Sequence, residues 1–598
     1  MPSSKIKVSD FVAQFIAEQN IKHVFSISGG ASLHLIHSVA EHDSLVNICP
    51  HHEQAAAMAA DAYSRISGNM GAAIATSGPG ATNLITGICC AYYDSVPVLY
   101  ITGQVSTFRL KDSRDIRQKG FQETEIVKMI KPVTKYAVIV KDKNRIQYEL
   151  GKAVYMARSG RPGPVLIDIP DNLQREYIEL DKLESFVEEK EDDQGIDAQM
   201  IKDCFSMINN ANRPVLVIGW GVYLSDAAED AVELAKALKI PLLTTWACVD
   251  LFPSDFPYLV GTFGTHGTRH GNFTIQNADL ILSIGSRLDT HATGSPPSSF
   301  AREARKIIND ISDGELKKHE EDGIGIDIAV NLDAGKFIRG LLDNIHLYNS
   351  SEYMEWKNYI SDLKQAYPVL PAYVSNNDEI DPYIFVDTLS SLSYEEECFF
   401  IDTGCVLPWI MQAFKTKKKQ RLFHAFNNTP MGYALPGSIA ASLFLDKKRV
   451  ICLTGDGGLQ INIQELATIA HHNLPVKIIV IDNNGYAMIR QTQDQWLGSK
   501  YIASSPDGGV SMPDFVEVAK AYGLQACSIK NNSSLKEKLK KFLISKNGGL
   551  CSIKINENKR VVPQTKYGRP IEDSEPLLPR NEFRERMIVP PIKESETV

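Results

Sequence analysis

Short runs of apolar residues alternate with amphipathic stretches along most of the chain. The first amphipathic stretch is a helix: Val8, Phe11, Val12, Phe15 and Ile16 recur at helical spacing and form one apolar stripe. The strand-like run HVFSI (residues 23–27) follows and ends in Gly-Gly-Ala. AAIAT (72–76) is then a strand, SGPG a turn, ATNLITGICCAYYDS a helix and VPVLYITG (96–103) a strand; VLIDI closes this unit at Pro170. A second unit opens at VLVIGWG (215–221) and continues through LKIPLLTT and DLILSIGSRLDTHATG. A third holds the strands CFFID, VICLTG, VKIIVID and CSIKI. Strand–helix alternation of this kind predicts parallel, doubly wound sheets. The fold class is therefore α/β, with three doubly wound domains.

A chain of 598 residues is too long for one core, since cores stop growing at roughly 250–300 residues. The expected domains are 1–185, 196–345 and 375–560. The acidic EEKEDD (188–193) reads as a solvated linker, and the polar stretch 350–378 as a second separator. The tail, 561–598, is too irregular for a core of its own, but Leu577, Leu578, Phe583, Met587 and Ile588 could dock onto one.

Composition narrows the function classes. A net charge of −9 provides no basic field for nucleic acid, and the KTKKKQ run from Lys415 is a short solvated loop. The ten cysteines include no CxxC pair and read as buried free thiols of a reducing compartment. Lys5, Lys7 and Asp10 precede any apolar run, and no run reaches the ~18 residues of a membrane span, so a soluble cytoplasmic protein is expected, with no membrane partner.

The sharpest motif is GDGG (455–458), directly after the strand VICLT; a helical stretch follows, and the next strand ends in DNNGY (482–486). Asp456 and the amide oxygen of Asn483 would lie at neighbouring strand ends. Mg²⁺ takes hard oxygen ligands and commonly shares them with a diphosphate. Asp456, Asn483 and a backbone carbonyl just after it could supply the protein's half. Gly455, Gly457 and Gly458 would let backbone N–H groups approach phosphate oxygens. Both motifs are also ordinary turn formers; their pairing across one helix is what points to a site. Glu53, in HHEQAAAMAADAYSR, heads a small-residue helix, where a carboxylate also suits the helix dipole.

The paired motifs resemble the thiamine-diphosphate (ThDP) signature, and the chain from 5 to 560 resembles the acetolactate synthase group of those enzymes. E-x-x-A-x-x-A-x-x-x-Y-x-R starts at Glu53; ATSGPGATN (75–83), TGQV ending at Val105, FQE (121–123) and GRPGPV (160–165) match as well. The resemblance implies Asp456, Asn483 and the Gly485 carbonyl as metal ligands, and Glu53 as the carboxylate that activates the cofactor's pyrimidine. It implies Met431, in TPMGYALPG, as the apolar wedge beneath the bent cofactor, though methionine is also common core filler. Gly30 would face the reactive carbon and Gln122 the substrate. Thr403, Gly404, Ala487 and Asn83 complete the ThDP set. It further implies FAD in the middle domain, with ADP or no ligand as alternatives. The matching positions are Arg161, Gly219, Gly221, Thr245, His266, Gly267, Gly285, Arg287, Asp289 and Asp310; a glycine-rich spacer is the plain alternative. Active sites shared between subunits of a homodimer or homotetramer follow from the same resemblance.

Three stretches depart from the family pattern. M-V-x-Q-W reads Met488–Thr492 with Thr492 in the tryptophan's place, T-G-x-G-Q-H ends in Leu407-Pro408, and the proline of G-G-A-x-x-P is His34. The second arginine of the GSRLDTHATG region is His291. The donor end is kept and the acceptor end is remodelled. The resemblance thus implies decarboxylation of a 2-keto acid, pyruvate being the simplest, with transfer of the acyl carbanion to an acceptor carbonyl such as an aldehyde or keto-sugar. A non-ligating decarboxylase or lyase, with His34 or His424 as proton donor, is the alternative; a true acetolactate synthase stands behind both.

Overall fold

A computed structural model of the protein describes residues 5–111, 115–188, 195–349, 352–370 and 378–595. Three six-stranded sheets, each wholly parallel, organise it; Lys5–Lys7 and Tyr177–Glu179 add a small antiparallel pair. The central strands are buried almost end to end, as in Val450–Gly455 and Val476–Asp482. Strands covered by helices on both faces have no solvent side, which is why these runs are unbroken apolar sequence.

With strands numbered in chain order within each sheet, the first and third sheets share the order 2-1-3-4-6-5, whereas the middle sheet runs 3-2-1-4-5-6. The order reverses between His23–Ser26 and Gly71–Ala75 in the first sheet and between Pro214–Ile218 and Leu280–Ile284 in the second. In the third it reverses between Cys398–Ile401 and Val450–Gly455. A crevice opens beyond the carboxyl ends of strands at such a point, and 3-2-1-4-5-6 is the order of dinucleotide-binding sheets. The SGGA and SGPG turns of the first domain, the Gly219–Gly221 and Gly285 turns of the middle domain and GDGG of the third fall at these places, and DNNGY ends the strand beside GDGG.

The outer domains are joined by two helices, Glu53–Ser67 and Ala434–Phe444. Ala55, Ala56, Ala57, Ala59, Ala60 and Ala62 are all buried, and one apolar core runs through both domains. Small side chains permit this close approach; a larger one would overpack it at a cost of roughly 1–3 kcal/mol. The middle domain keeps a separate core.

Of the stretch 350–378, the described residues 352–370 are more than a separator, and 350–351 and 371–377 lie outside the described residues. Met354–Ala366 is a helix whose Trp356, Ile360 and Leu363 are buried, with Trp356 Nε1 donating to the Pro214 carbonyl at 3.2 Å. Its apolar stripe is narrow, so polar composition hid it. Residues 189–193 of the acidic linker lie outside the described residues. The tail packs on the middle domain: Ile571 belongs to that domain's core, and Phe583 packs against Phe273 and Leu363. Leu578 and Met587 join them, whereas Ile588 stays exposed. All ten cysteines are free; seven are buried, Cys49 is exposed, and Cys89 and Cys527 are partly exposed. No helix among the described residues is long and apolar enough to cross a membrane.

Candidate active site

Asp456 begins a short helix at the carboxyl end of Val450–Gly455, and Asn483 follows the end of Val476–Asp482, the adjacent parallel strand. One Asp456 oxygen accepts the Gly457 N–H at 2.8 Å; the other accepts the N–H groups of Asn483 at 3.1 Å and Gly485 at 3.0 Å. Burial lifts the carboxyl to about 6. The Asn483 Oδ1 beside it is buried with no hydrogen-bond partner. A buried, unpaired amide oxygen is costly, and together with Asp456 it forms a hard-oxygen donor set suited to Mg²⁺. Arg490, wholly buried, donates to the carbonyls of Asn483 and Asn484 and so shapes the turn that presents Gly485, whose φ is +145°.

The glycines have distinct reasons. A Cβ on Gly457 would lie 2.0 Å from the Tyr486 ring, and one on Gly458 would lie 2.6 Å from Asp402 Oδ2, whereas Gly455 faces open space. Ala487 starts the next helix and is buried. Asp402, which the sequence did not flag, is fully buried at the end of Cys398–Ile401. It accepts from Thr403 N–H and Gly432 N–H, each at 3.0 Å, and from Thr454 Oγ1 at 2.8 Å. It thereby ties Thr403 and the open, left-handed Gly404 to the loop that carries Met431, which is 37% exposed.

The second cluster lies at the carboxyl end of the first sheet. Glu53 heads its helix after His52, whose ring caps the Gln54 N–H, and Glu53 Oε2 accepts from Asn83 Nδ2 at 2.9 Å. Gly80 leaves no room for a side chain between Thr76 and Glu53 Oε1. Ala31 N–H, next to the open-faced Gly30, donates to Thr76 Oγ1. Gln122 is exposed at φ +63° beside Gly78, and Phe121 is 87% exposed. Glu123 anchors that loop by accepting the N–H groups of Lys111, Lys119 and Gly120. Burial pushes its carboxyl up, and these three donors outweigh it, leaving it below its ordinary value. Among the described residues Glu53 hydrogen-bonds within its own domain and not to the Asp456 cluster.

A cavity of about 860 Å³ opens at the switch point of the middle sheet. Arg161, Gly221, Thr245, His266, Gly285, Arg287, Asp289 and Asp310 line it, and it continues to Thr403, Gly404, Leu407, Pro408 and Met488. Gly219 and Gly267 sit behind the lining: their missing side chains allow contact with Ser286 and Phe263. Glu315, also unflagged by the sequence, accepts from Arg161 at 3.3 Å and Arg287 at 3.0 Å and so brings two arginines of different domains together. His291 Nε2 and His266 Nδ1 are 3.0 Å apart, and burial holds both imidazoles below their ordinary value, His266 near 3.

Of the remodelled positions, Leu407 and Pro408 wall the cavity beside Met488, and Thr492 lies one helical turn beyond Met488 with its side chain exposed, outside the lining. His424 is wholly buried outside that lining, with Nδ1 2.8 Å from the Ile401 carbonyl and its pKa held near 4 by burial. That position does not suit a proton donor to the cavity.

Comparison with known proteins agrees with this arrangement. Residues 6–129 match the N-terminal TPP binding domain of thiamine pyrophosphate enzymes, 201–341 their central domain and 402–555 their C-terminal TPP binding domain. The chain is 33% identical over 560 residues to an acetolactate synthase large subunit of Porphyra purpurea, covering 93% of this chain and 92% of that protein. It is 34% identical over 563 residues to a probable acetolactate synthase large subunit of Methanocaldococcus jannaschii, covering 92% of each. With acetolactate synthase 1, chloroplastic, of Zea mays it shares 30% over 581 residues, covering 96% and 89%. The chain belongs to the thiamine pyrophosphate enzymes, within their acetolactate synthase-like family.

Proposed function

We propose that this enzyme decarboxylates a small 2-keto acid, pyruvate being the simplest, and joins the acyl fragment to an acceptor carbonyl other than a second pyruvate. The observation that carries the donor half is the buried, unpaired Asn483 Oδ1 beside Asp456, an oxygen pair that fits a diphosphate-bound Mg²⁺. Bound ThDP supplies a nucleophilic carbon and an electron sink for the pair left behind by CO₂. The chain's residues do the rest. Asp456, Asn483 and the Gly485 carbonyl would hold the metal; Met431 would support the cofactor as an apolar wedge; Glu53 would hold a proton at the pyrimidine ring nitrogen; Gln122 would orient the substrate. The apolar side chains of Leu407, Pro408 and Met488 near Thr403 would limit the access of water there.

The acceptor half rests on Leu407, Pro408 and Thr492, where the family has Gln, His and Trp. Apolar walls and lost bulk favour a larger aldehyde or ketone. The names of the relatives favour the competing reading, plain acetolactate formation. FAD is the ligand we assign to the middle cavity. The dinucleotide strand order, the size of the cavity and the two arginines held by Glu315 support it. The separate clusters around Glu53 and Asp456, with Phe121 and Met431 exposed, support a homodimer or homotetramer in which each site draws on two chains. A soluble cytoplasmic protein without nucleic-acid or membrane partners fits the composition.

The test is a competition assay with pyruvate as donor and both pyruvate and a bulkier aldehyde or ketone as acceptors. Transfer to the bulkier acceptor is expected to dominate, with Thr492→Trp shifting product toward acetolactate. Acetolactate as the main product, unchanged in Thr492→Trp, would overturn the acceptor assignment. Protein supplied with FAD is expected to show flavin absorbance that pyruvate does not bleach stoichiometrically; uptake of ADP but not FAD would overturn the flavin assignment.

A further inference from the structure

Two buried carboxylates from different domains hold the two ends of one irregular segment, 426–432. At one end, Asp94 accepts the backbone N–H groups of Phe426 at 2.7 Å and Asn427 at 3.0 Å, and Asn427 Nδ2 at 2.6 Å. At the other, Asp402 accepts the N–H groups of Gly432 and Tyr433. Met431 lies between the two anchors, and no helix or strand fixes the segment's path. Asp402 comes from the same domain as Met431. Asp94 comes from the first domain, at the end of the helix Ile85–Tyr93.

Asp94 also meets the middle domain: its carbonyl accepts Trp220 Nε1 at 2.9 Å, and the next residue, Ser95, accepts Arg161 Nε at 2.8 Å. Its charge is balanced by Arg65, which is shared with Asp61. Asp61 is also buried, but among the described residues it binds only side chains, Arg65 and the Tyr433 hydroxyl. A carboxylate that merely joined domains could do so through side chains, as Asp61 does. Asp94 instead grips consecutive backbone N–H groups, and such a grip fixes the course of the chain toward Met431.

We infer that Asp94 is a positioning residue for the thiamine site, holding the Met431 segment in place from across the domain boundary. The inference rests on the reading of Met431 as the wedge beneath the cofactor. It is tested by titrating ThDP at saturating Mg²⁺ into wild type, Asp94→Asn, Asp61→Asn, Asn427→Ala and Met431→Ala, with kcat and melting temperature measured for each. Asp94→Asn is expected to weaken ThDP binding at least about tenfold, well below its melting temperature, as backbone N–H groups lose a charged acceptor. Asp61→Asn is expected to lower the melting temperature while holding ThDP affinity within about twofold of wild type. Asn427→Ala removes one contact to Asp94 from an exposed position and is expected to weaken binding about threefold, which keeps the inference testable if Asp94→Asn does not fold. Asp94→Asn and Asp61→Asn with equal, near-wild-type ThDP affinity, or unchanged affinity in Asn427→Ala when Asp94→Asn is insoluble, would overturn it. Wild-type affinity and kcat in Met431→Ala would instead overturn the wedge reading.

Discussion

The carboxylate of Asp456 accepts the backbone N–H of Asn483 at 3.1 Å, across the gap between two adjacent parallel strands. The contact aligns the only charged oxygen proposed for the metal with the unpaired Oδ1 of the same asparagine. Asp456→Ala removes both the charge and the alignment. We expect Mg²⁺-dependent ThDP affinity to fall by at least about a hundredfold, beyond the usual effect of losing a supporting group around a metal. Calorimetry at limiting Mg²⁺ checks this; unchanged affinity would contradict the metal assignment.

Gly485 tests the same loop through the backbone. At φ +145° a Cβ would lie 2.4 Å from the Ser504 carbonyl oxygen and from Arg490 Nη2. Gly485→Ala should cost roughly 1–3 kcal/mol in local strain and should weaken Mg²⁺ binding, although alanine removes no ligand atom. A variant with wild-type Mg²⁺ dependence would show that the turn does not present the Gly485 carbonyl.

Glu53→Gln should lose at least about tenfold in kcat, ~1.4 kcal/mol of barrier, with the fold intact. If sites are shared between chains, co-refolding impaired Glu53→Gln with inactive Asp456→Ala restores one intact site in each mixed dimer, so activity recovers to about a quarter of wild type. Mixtures that stay inactive while mixed dimers form would place Glu53 and Asp456 of one chain in one site.

Asp168 gives a pH dependence away from the metal loop. Burial raises its carboxyl from 3.8 to about 7, against hydrogen bonds from Gln104 and Thr102. The folded state therefore keeps this proton to higher pH than the unfolded state. Its stabilising contribution is complete below the unfolded value and is lost as pH rises through about 7. Asp168→Asn removes that slope while leaving groups able to bond Gln104 and Thr102. Its melting temperature relative to wild type should rise by several degrees between about pH 5 and about pH 8; a constant difference would contradict the raised value.

What was legible in the sequence was local. GDGG and DNNGY could be placed because strand, turn and proposed ligand lie within a few residues of one another. The three sheets could be read because doubly covered strands are unbroken apolar runs. Asp94, Asp402, Arg490 and Glu315 could not. Asp94 meets its partners some 330 residues away, at Phe426 and Asn427, and no spacing rule reaches that far. Asp402 was visible only as the polar end of CFFID, and its task of holding backbone N–H groups leaves no pattern in the residues it holds. Arg490 and Glu315 looked like ordinary helix-surface charges until the fold buried one and set the other between two arginines. The helix Met354–Ala366 was missed for a related reason: Trp356, Ile360 and Leu363 carried the right period inside a polar stretch.

The central claim is ThDP- and Mg²⁺-dependent decarboxylation of a 2-keto acid. The most direct measurement is CO₂ release from carboxyl-labelled pyruvate by the purified protein, with ThDP and Mg²⁺ added together, singly and not at all. Catalytic release is expected only when both are present, abolished in Asp456→Ala and reduced at least about tenfold in Glu53→Gln. Protein that binds ThDP and Mg²⁺ yet releases no CO₂ from pyruvate or any other small 2-keto acid, with or without an added carbonyl acceptor, would contradict it.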